Sequence, residues 1–168
     1  MPLPTITSAL IDELHQEAAT TRRVLERVPE EHLSWRPHPK SMSLGQLALH
    51  IARIPGAIAE LLAELERDPP VVPIPEAGSR AESVEHLEGS VAKAAQALAD
   101  WGEQGLSASW SMKREGQILF TLPRVAMVRS VMLNHWYHHR GELMVYFRLL
   151  DIPVPSVYGP SADEKPFG

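Results

Sequence analysis

The sequence predicts an all-α fold, a four-helix bundle with one long crossover linker, and three observations point there. Apolar residues recur at helical spacing in four segments, each long enough for several turns. Proline-rich stretches separate those segments, one of them long enough to carry the chain from one end of a bundle to the other. A helix start is written out residue by residue at Ser43 and Gln46. The chain has 168 residues, 44% of them apolar, which suits one domain over residues 1–168.

The first helix is expected over residues 5–28, where Leu10, Ile11, Leu14, Ala18, Val24, Leu25 and Val28 approximate helical spacing. Pro29 ends it. Pro37 and Pro39 make the stretch after Trp35 a loop. The second helix is expected from Ser43 to about residue 66. Ser43 and Gln46 form a capping box there, and Pro55 removes one backbone bond and should kink the helix. Residues 68–79 hold Pro69, Pro70, Pro73 and Pro75 and read as an extended linker. An alanine-rich third helix is expected over 83–101. Residues 110–121 have the pattern of a short β-hairpin. The fourth helix is expected over 123–150, followed by an irregular, proline-containing tail.

Charge narrows the partners. The net charge is −5, from 16 basic and 21 acidic residues. No cluster of Lys and Arg offers a nucleic-acid backbone or an anionic membrane a footing. No stretch is apolar for the 18 residues a membrane span requires. The first residues, Met1-Pro2-Leu3-Pro4-Thr5, lack the basic and apolar regions of a secretory signal, so a cytoplasmic location is expected. The absence of cysteine excludes disulfides, a cysteine nucleophile and thiolate metal ligands.

The residues that carry chemistry are histidines. His135 and His139 are four apart on the expected fourth helix, so they differ by roughly 40° around its axis and project from one face. Val128, Val131, Met132, Leu143 and Tyr146 share that direction, which makes the face apolar and inward. His50 lies on a similar face of the second helix, with Ser43, Leu47, Ile54, Ala57 and Leu61. Two inward histidine stations on different helices can converge on a metal ion inside a bundle. Three neutral imidazoles would leave a coordination position open, as in catalytic zinc sites, and imidazole also suits nickel and iron, so ligand type alone does not fix the metal.

Each of these residues has a plainer role available. A core histidine such as His50 is more often a hydrogen-bonded structural residue. Glu142, on the face of the histidine pair, could orient an imidazole, serve as a fourth ligand, or pair with Arg140 or Arg148. His138 points roughly 60° from His135 and 100° from His139, a poorer partner for either. Arg53 stands one turn from His50, where it would meet an anionic substrate or be solvated. The tryptophans at 35, 101, 110 and 136 read as packing residues. His15, His32, His38 and His86 read as surface residues.

Three segments resemble the DinB/YfiT-like superfamily of metal-binding proteins. They are Trp35-Arg36-Pro37 with the run from Lys40 through His50 to Ala52, the run from His135 through His138-His139-Arg140-Gly141 to Leu143, and the tail from Val157 to Glu164. The resemblance covers nearly the whole chain in order. It implies a four-helix bundle, metal ligation by His50, His135 and His139, zinc or nickel as the ion, and a homodimer. Glu142 stands where many relatives carry glutamine, which leaves the role of that position open. The relatives include S-transferases that use a low-molecular-weight thiol, an isomerase and hydrolases. The resemblance thus implies a metal-dependent enzyme acting on a small-molecule substrate. Its open metal position would activate a thiol or water, and Glu142 or His138 would be the candidate base. Without cysteine, any thiol must come from a co-substrate. The alternative is a metal-stabilised binding or stress-response protein with no turnover, favoured if Glu142 closes the coordination shell.

Overall fold

The structure, a computed structural model, describes residues 4–71 and 73–165. Helix α1 (Ile6–Leu25) starts where the Thr5 side chain accepts the Ser8 N–H. It stops three residues before the expected end. The chain tightens there through short-range bonds from Arg27 N–H to Val24 O and from Val28 N–H to Leu25 O, and Val28 stays buried. A single 3₁₀ turn, Glu30–His32, follows.

Helix α2 (Leu44–Ala63) opens on the complete capping box, with Ser43 accepting from the Gln46 N–H and Gln46 from the Ser43 N–H. Those bonds satisfy donors that the first turn would otherwise leave unpaired. Pro55 lies inside the helix. The adjoining Gly56 N–H is donated to Ser90 Oγ of the neighbouring helix at 2.7 Å. A Cβ at Gly56 would stand 3.0 Å from both the Cα and the Oγ of Ser90, so glycine is what lets the two helix backbones meet here. The helix ends before the expected residue 66 because Glu66–Arg67 peels away as strand β1.

The described residues of the linker 68–79 carry no helix or strand, as expected. Ser79 caps α3 (Arg80–Ser107), accepting from the Glu82 N–H, so the helix starts three residues earlier than Ser83. At Gly102 the backbone adopts φ 54°, ψ −168°, a conformation essentially restricted to glycine. The regular part of α3 therefore breaks next to the expected end at 101, and helical geometry resumes up to Ser107.

The fold is mostly helical rather than all-helical. Strands β2 (Ser109–Arg114) and β3 (Gln117–Pro123) pair antiparallel around Glu115 and Gly116, both at positive φ, as a tight two-residue turn requires. The expected lone hairpin is corrected by β1. That strand pairs parallel with β2, Glu66 opposite Ser111, making a three-stranded sheet in the order β1-β2-β3.

The last helical rod has three parts: α4 (Arg124–Met127), a π-helical stretch (Val128–Asn134) and α5 (His135–Leu149). With α1, α2 and α3 it makes four helical rods. Helix α2 packs against α3 and α5, and α1 packs against α3 and α5. Between them lies one apolar core that includes Leu14, Leu25, Leu47, Ile51, Leu62, Leu98, Met132, Trp136 and Phe147. The tail folds back onto α1 and α5 through ion pairs of Glu164 with Arg23 and Arg27 and of Asp163 with Arg148. Among the described residues, no helix is long and apolar enough to cross a membrane.

Candidate metal centre

His50 projects from the middle of α2. His135 is the first residue of α5, and His139 follows one turn later. The π-helical stretch ends immediately before His135. Its wider turns shift the phase of α5 relative to α4, and π segments of this kind recur at functional sites. The three rings come together. Their centroids lie 5.5 Å apart for His50–His135, 4.7 Å for His50–His139 and 4.4 Å for His135–His139. One ring nitrogen from each lies within 4.8 Å of the other two, close enough to hold a common metal ion, and all three residues are half-buried.

Burial and mutual proximity favour the neutral form of His50 and His135. His50 is pushed down to about 4, first by desolvation, then by His139, His135 and the positive charge of Arg53, with Glu142 opposing. His135 is lowered for the same leading reason, with His139 and His138 adding to it. The neutral ring is the form that can donate a lone pair to a metal.

Glu142 lies beside His139 and His138. One carboxylate oxygen is 2.6 Å from His139 Nδ1 and the other 3.3 Å from His138 Nε2. The arginine partners considered for it are engaged elsewhere, Arg140 with Glu17 at 2.6 Å and Arg148 with Asp163 at 2.7 Å. When Nδ1 of His139 donates to this carboxylate, Nε2 keeps its lone pair for a ligand role. His138 is exposed and its ring centroid is 5.0 Å from that of His139. His138, His139 and Glu142 also have potential ligand atoms within 4.8 Å of one another, and Glu142 accounts for this by contacting both rings.

A cavity of about 280 Å³ opens beside the cluster, lined by His50, His135 and Arg53, by the outer side of α2 and by the proline-rich linker. The second and last helices contribute the three histidines, and the crossover linker lines the cavity beside them.

The sequence matches the DinB family over residues 3–166. The chain belongs to the DinB family. A curated relative, the uncharacterized protein YrdA of Bacillus subtilis (strain 168), is 25% identical over 154 residues, covering 88% of this chain and 85% of that protein. Two solved DinB-like structures share the fold. The one from Bacillus cereus ATCC 10987 has a TM-score of 0.69 at 23% identity and covers 89% of this chain and 95% of that chain. YjoA of Bacillus subtilis has a TM-score of 0.68 at 19% identity, with 89% and 96% covered.

In this DinB protein the structure brings together His50, His135 and His139, sets Glu142 and His138 at their edge, and leaves His15, His32, His38 and His86 exposed. Trp110 and Trp136 are fully buried, Trp35 packs edge-on against Tyr146, and the Arg124 guanidinium stacks over Trp101. Ala57, expected on the inward face, is exposed and lines the cavity. The buried anchor Arg140 was visible in sequence only as a partner for Glu142. Its true partners, Glu17, Thr21 and Tyr158, come from distant segments that no local spacing connects.

Proposed function

We propose that His50, His135 and His139 hold one divalent metal ion, zinc or nickel, and that the chain is a metal-dependent enzyme acting on a small molecule. The observation that carries this reading is the convergence of three imidazoles from two helices on one point beside a cavity. Nitrogen donors of this kind fit either ion, and three of them leave a position for substrate. A bound ion would supply Lewis acidity that lowers the pKa of a thiol or water. A transferase using a low-molecular-weight thiol and a hydrolase both fit that chemistry, and the cysteine-free chain takes any thiol from a co-substrate.

The chain's own residues divide the remaining work. Glu142 orients the His139 ring. His138, exposed on the other carboxylate oxygen, can pass a proton between that carboxylate and solvent. The apolar side of the cavity excludes water from the bound molecule. The four rods are read as a bundle, with the site between its second and last helices, and a cytoplasmic location and a homodimer complete the proposal.

Metal analysis of the purified protein tests the site. Close to one ion per chain is expected, with His139→Ala abolishing tight binding and His38→Ala retaining it. Equal losses in the two variants would overturn the assignment. A second reading, a metal-stabilised protein without turnover, is favoured by the nearness of Glu142, whose carboxylate could close the shell. X-ray absorption of the loaded protein separates the two: a light-atom ligand exchangeable with added thiol supports catalysis, and a shell indifferent to thiol supports the second.

A further inference from the structure

We propose that the cavity beside the histidines takes a small amphiphile with one anionic group, its carboxylate held by Arg53 and its apolar body lying against Ile54, Ile58, Leu61 and Ile74.

Among the described residues, Arg53 is the charge in the cavity without a partner. Glu60 is paired with Lys93, and Arg67 with Glu64 at 3.2 Å. Arg53 lines the same space as both of them and as His50 and His135, yet makes no ion pair or side-chain hydrogen bond among the described residues. Its positive charge reaches His50, where it is one of the causes of the lowered pKa. An unpaired guanidinium presents a planar fork that matches a carboxylate with two parallel hydrogen bonds.

The rest of the lining selects against a wholly polar ligand. Ile54 and Leu61 are buried and Ile58 partly so, and Pro70, Pro73, Pro75 and Ile74 of the linker line the same cavity. A sugar or peptide placed there would leave polar groups unpaired against hydrocarbon. The volume, about 280 Å³, sits near the lower limit of about 300 Å³ for small-molecule sites, which points to a short chain or a single ring. The prolines restrict the wall's backbone, so little ordering is required on binding.

The inference rests on the proposed function only in placing the ligand's reacting end beside the histidines. The Arg53 contact and the apolar wall stand without a metal, and the test uses that. Hexanoate and its neutral isostere hexanamide are titrated by calorimetry into the full chain, both stripped of metal and loaded with zinc. In the metal-free protein hexanoate should bind more tightly than hexanamide. Arg53→Ala should weaken hexanoate about tenfold or more, the usual effect of losing a charge-assisted hydrogen bond, and leave hexanamide unchanged. Ala57→Trp, at an exposed helix position lining the cavity, should block both. Absent hexanoate binding, an Arg53→Ala variant that binds it like the parent, or an Ala57→Trp variant that still takes it would each overturn the proposal. If zinc fails to bind while the Arg53 dependence persists in the stripped protein, the metal reading fails and this one stands.

Discussion

Glu142 touches two histidines but only one of the three that converge, and that position decides what its loss should do. It orients the His139 ring through Nδ1 at 2.6 Å. Such outer carboxylates commonly change metal affinity by about 10- to 100-fold. Glu142→Ala should therefore weaken zinc binding by about that factor while one ion per chain is still bound. Glu142→Gln, which keeps an acceptor without the charge, should fall between. Competition titration with a chelating dye measures both, and loss of stoichiometry in the alanine variant would make Glu142 a ligand instead. Much of this site was legible from spacing. The four-residue step from His135 to His139 and the apolar neighbours of His50 are local facts of helix geometry. The reach of Glu142 is different. At three residues from His139 and four from His138 it can contact either ring, and the choice between those rings and the arginines is made by Glu17 and Asp163, which lie far away in sequence.

At the scale of elements, α2 and α3 meet at one close contact. Pro55 disrupts the helical bonding pattern, and Ser90 accepts the N–H of the next residue. Ser90→Ala should leave that buried donor unpaired, at a cost of about 1–3 kcal/mol. Gly56→Ala should also destabilise, by about 1–3 kcal/mol, because the added methyl meets the Ser90 backbone rather than a flexible side chain. Urea unfolding with an unchanged slope would register both as shifts of midpoint, and a neutral Gly56→Ala would show that the helices can separate freely. The same elements show where sequence reading succeeds. The capping box at Ser43 and the break at Gly102 are encoded in a few adjacent residues. Strand β1 is two charged residues that become a strand only by pairing with β2. The π-helical stretch carries apolar residues that an α-helix would also accept, so its change of phase leaves no local mark. The start of α3 is set by Ser79, which accepts the Glu82 N–H, and Ser83 lies buried within the helix.

Across the whole molecule, two sets of buried polar groups tie distant parts of the chain together, and they respond to different perturbations. Arg140 is 1% exposed and joins α5 to α1 and the tail. It pairs with Glu17 and donates to Thr21 Oγ1 and the Tyr158 hydroxyl. Arg140→Met should cost about 3–5 kcal/mol, because the Glu17 carboxylate is left without its cation. Adding Glu17→Gln should recover part of the loss in thermal unfolding. A double variant no more stable than Arg140→Met would assign the cost to packing alone. The histidine cluster responds to pH instead. In the metal-free protein His50 titrates at about 4, below its ordinary 6.5, because the fold withholds water from the charged ring. Between those values the unfolded chain takes up a proton that the folded chain refuses. Stability is therefore unaffected by this residue above about pH 6.5 and falls as pH drops toward 4. The lowered His135 adds to the fall in the same direction. A bound ion occupies the same nitrogens and stabilises the fold by about 2.7 kcal/mol at a free concentration 100 times its Kd. That stabilisation should shrink as acid competes for the rings. Thermal unfolding with and without zinc at pH 7.5 and 5 reads both effects. In His50→Gln the metal-free stability should decline less between those pH values and the zinc-induced rise in Tm should be largely lost. A metal-free stability as steep as that of the parent would mean that acid acts through groups other than this cluster.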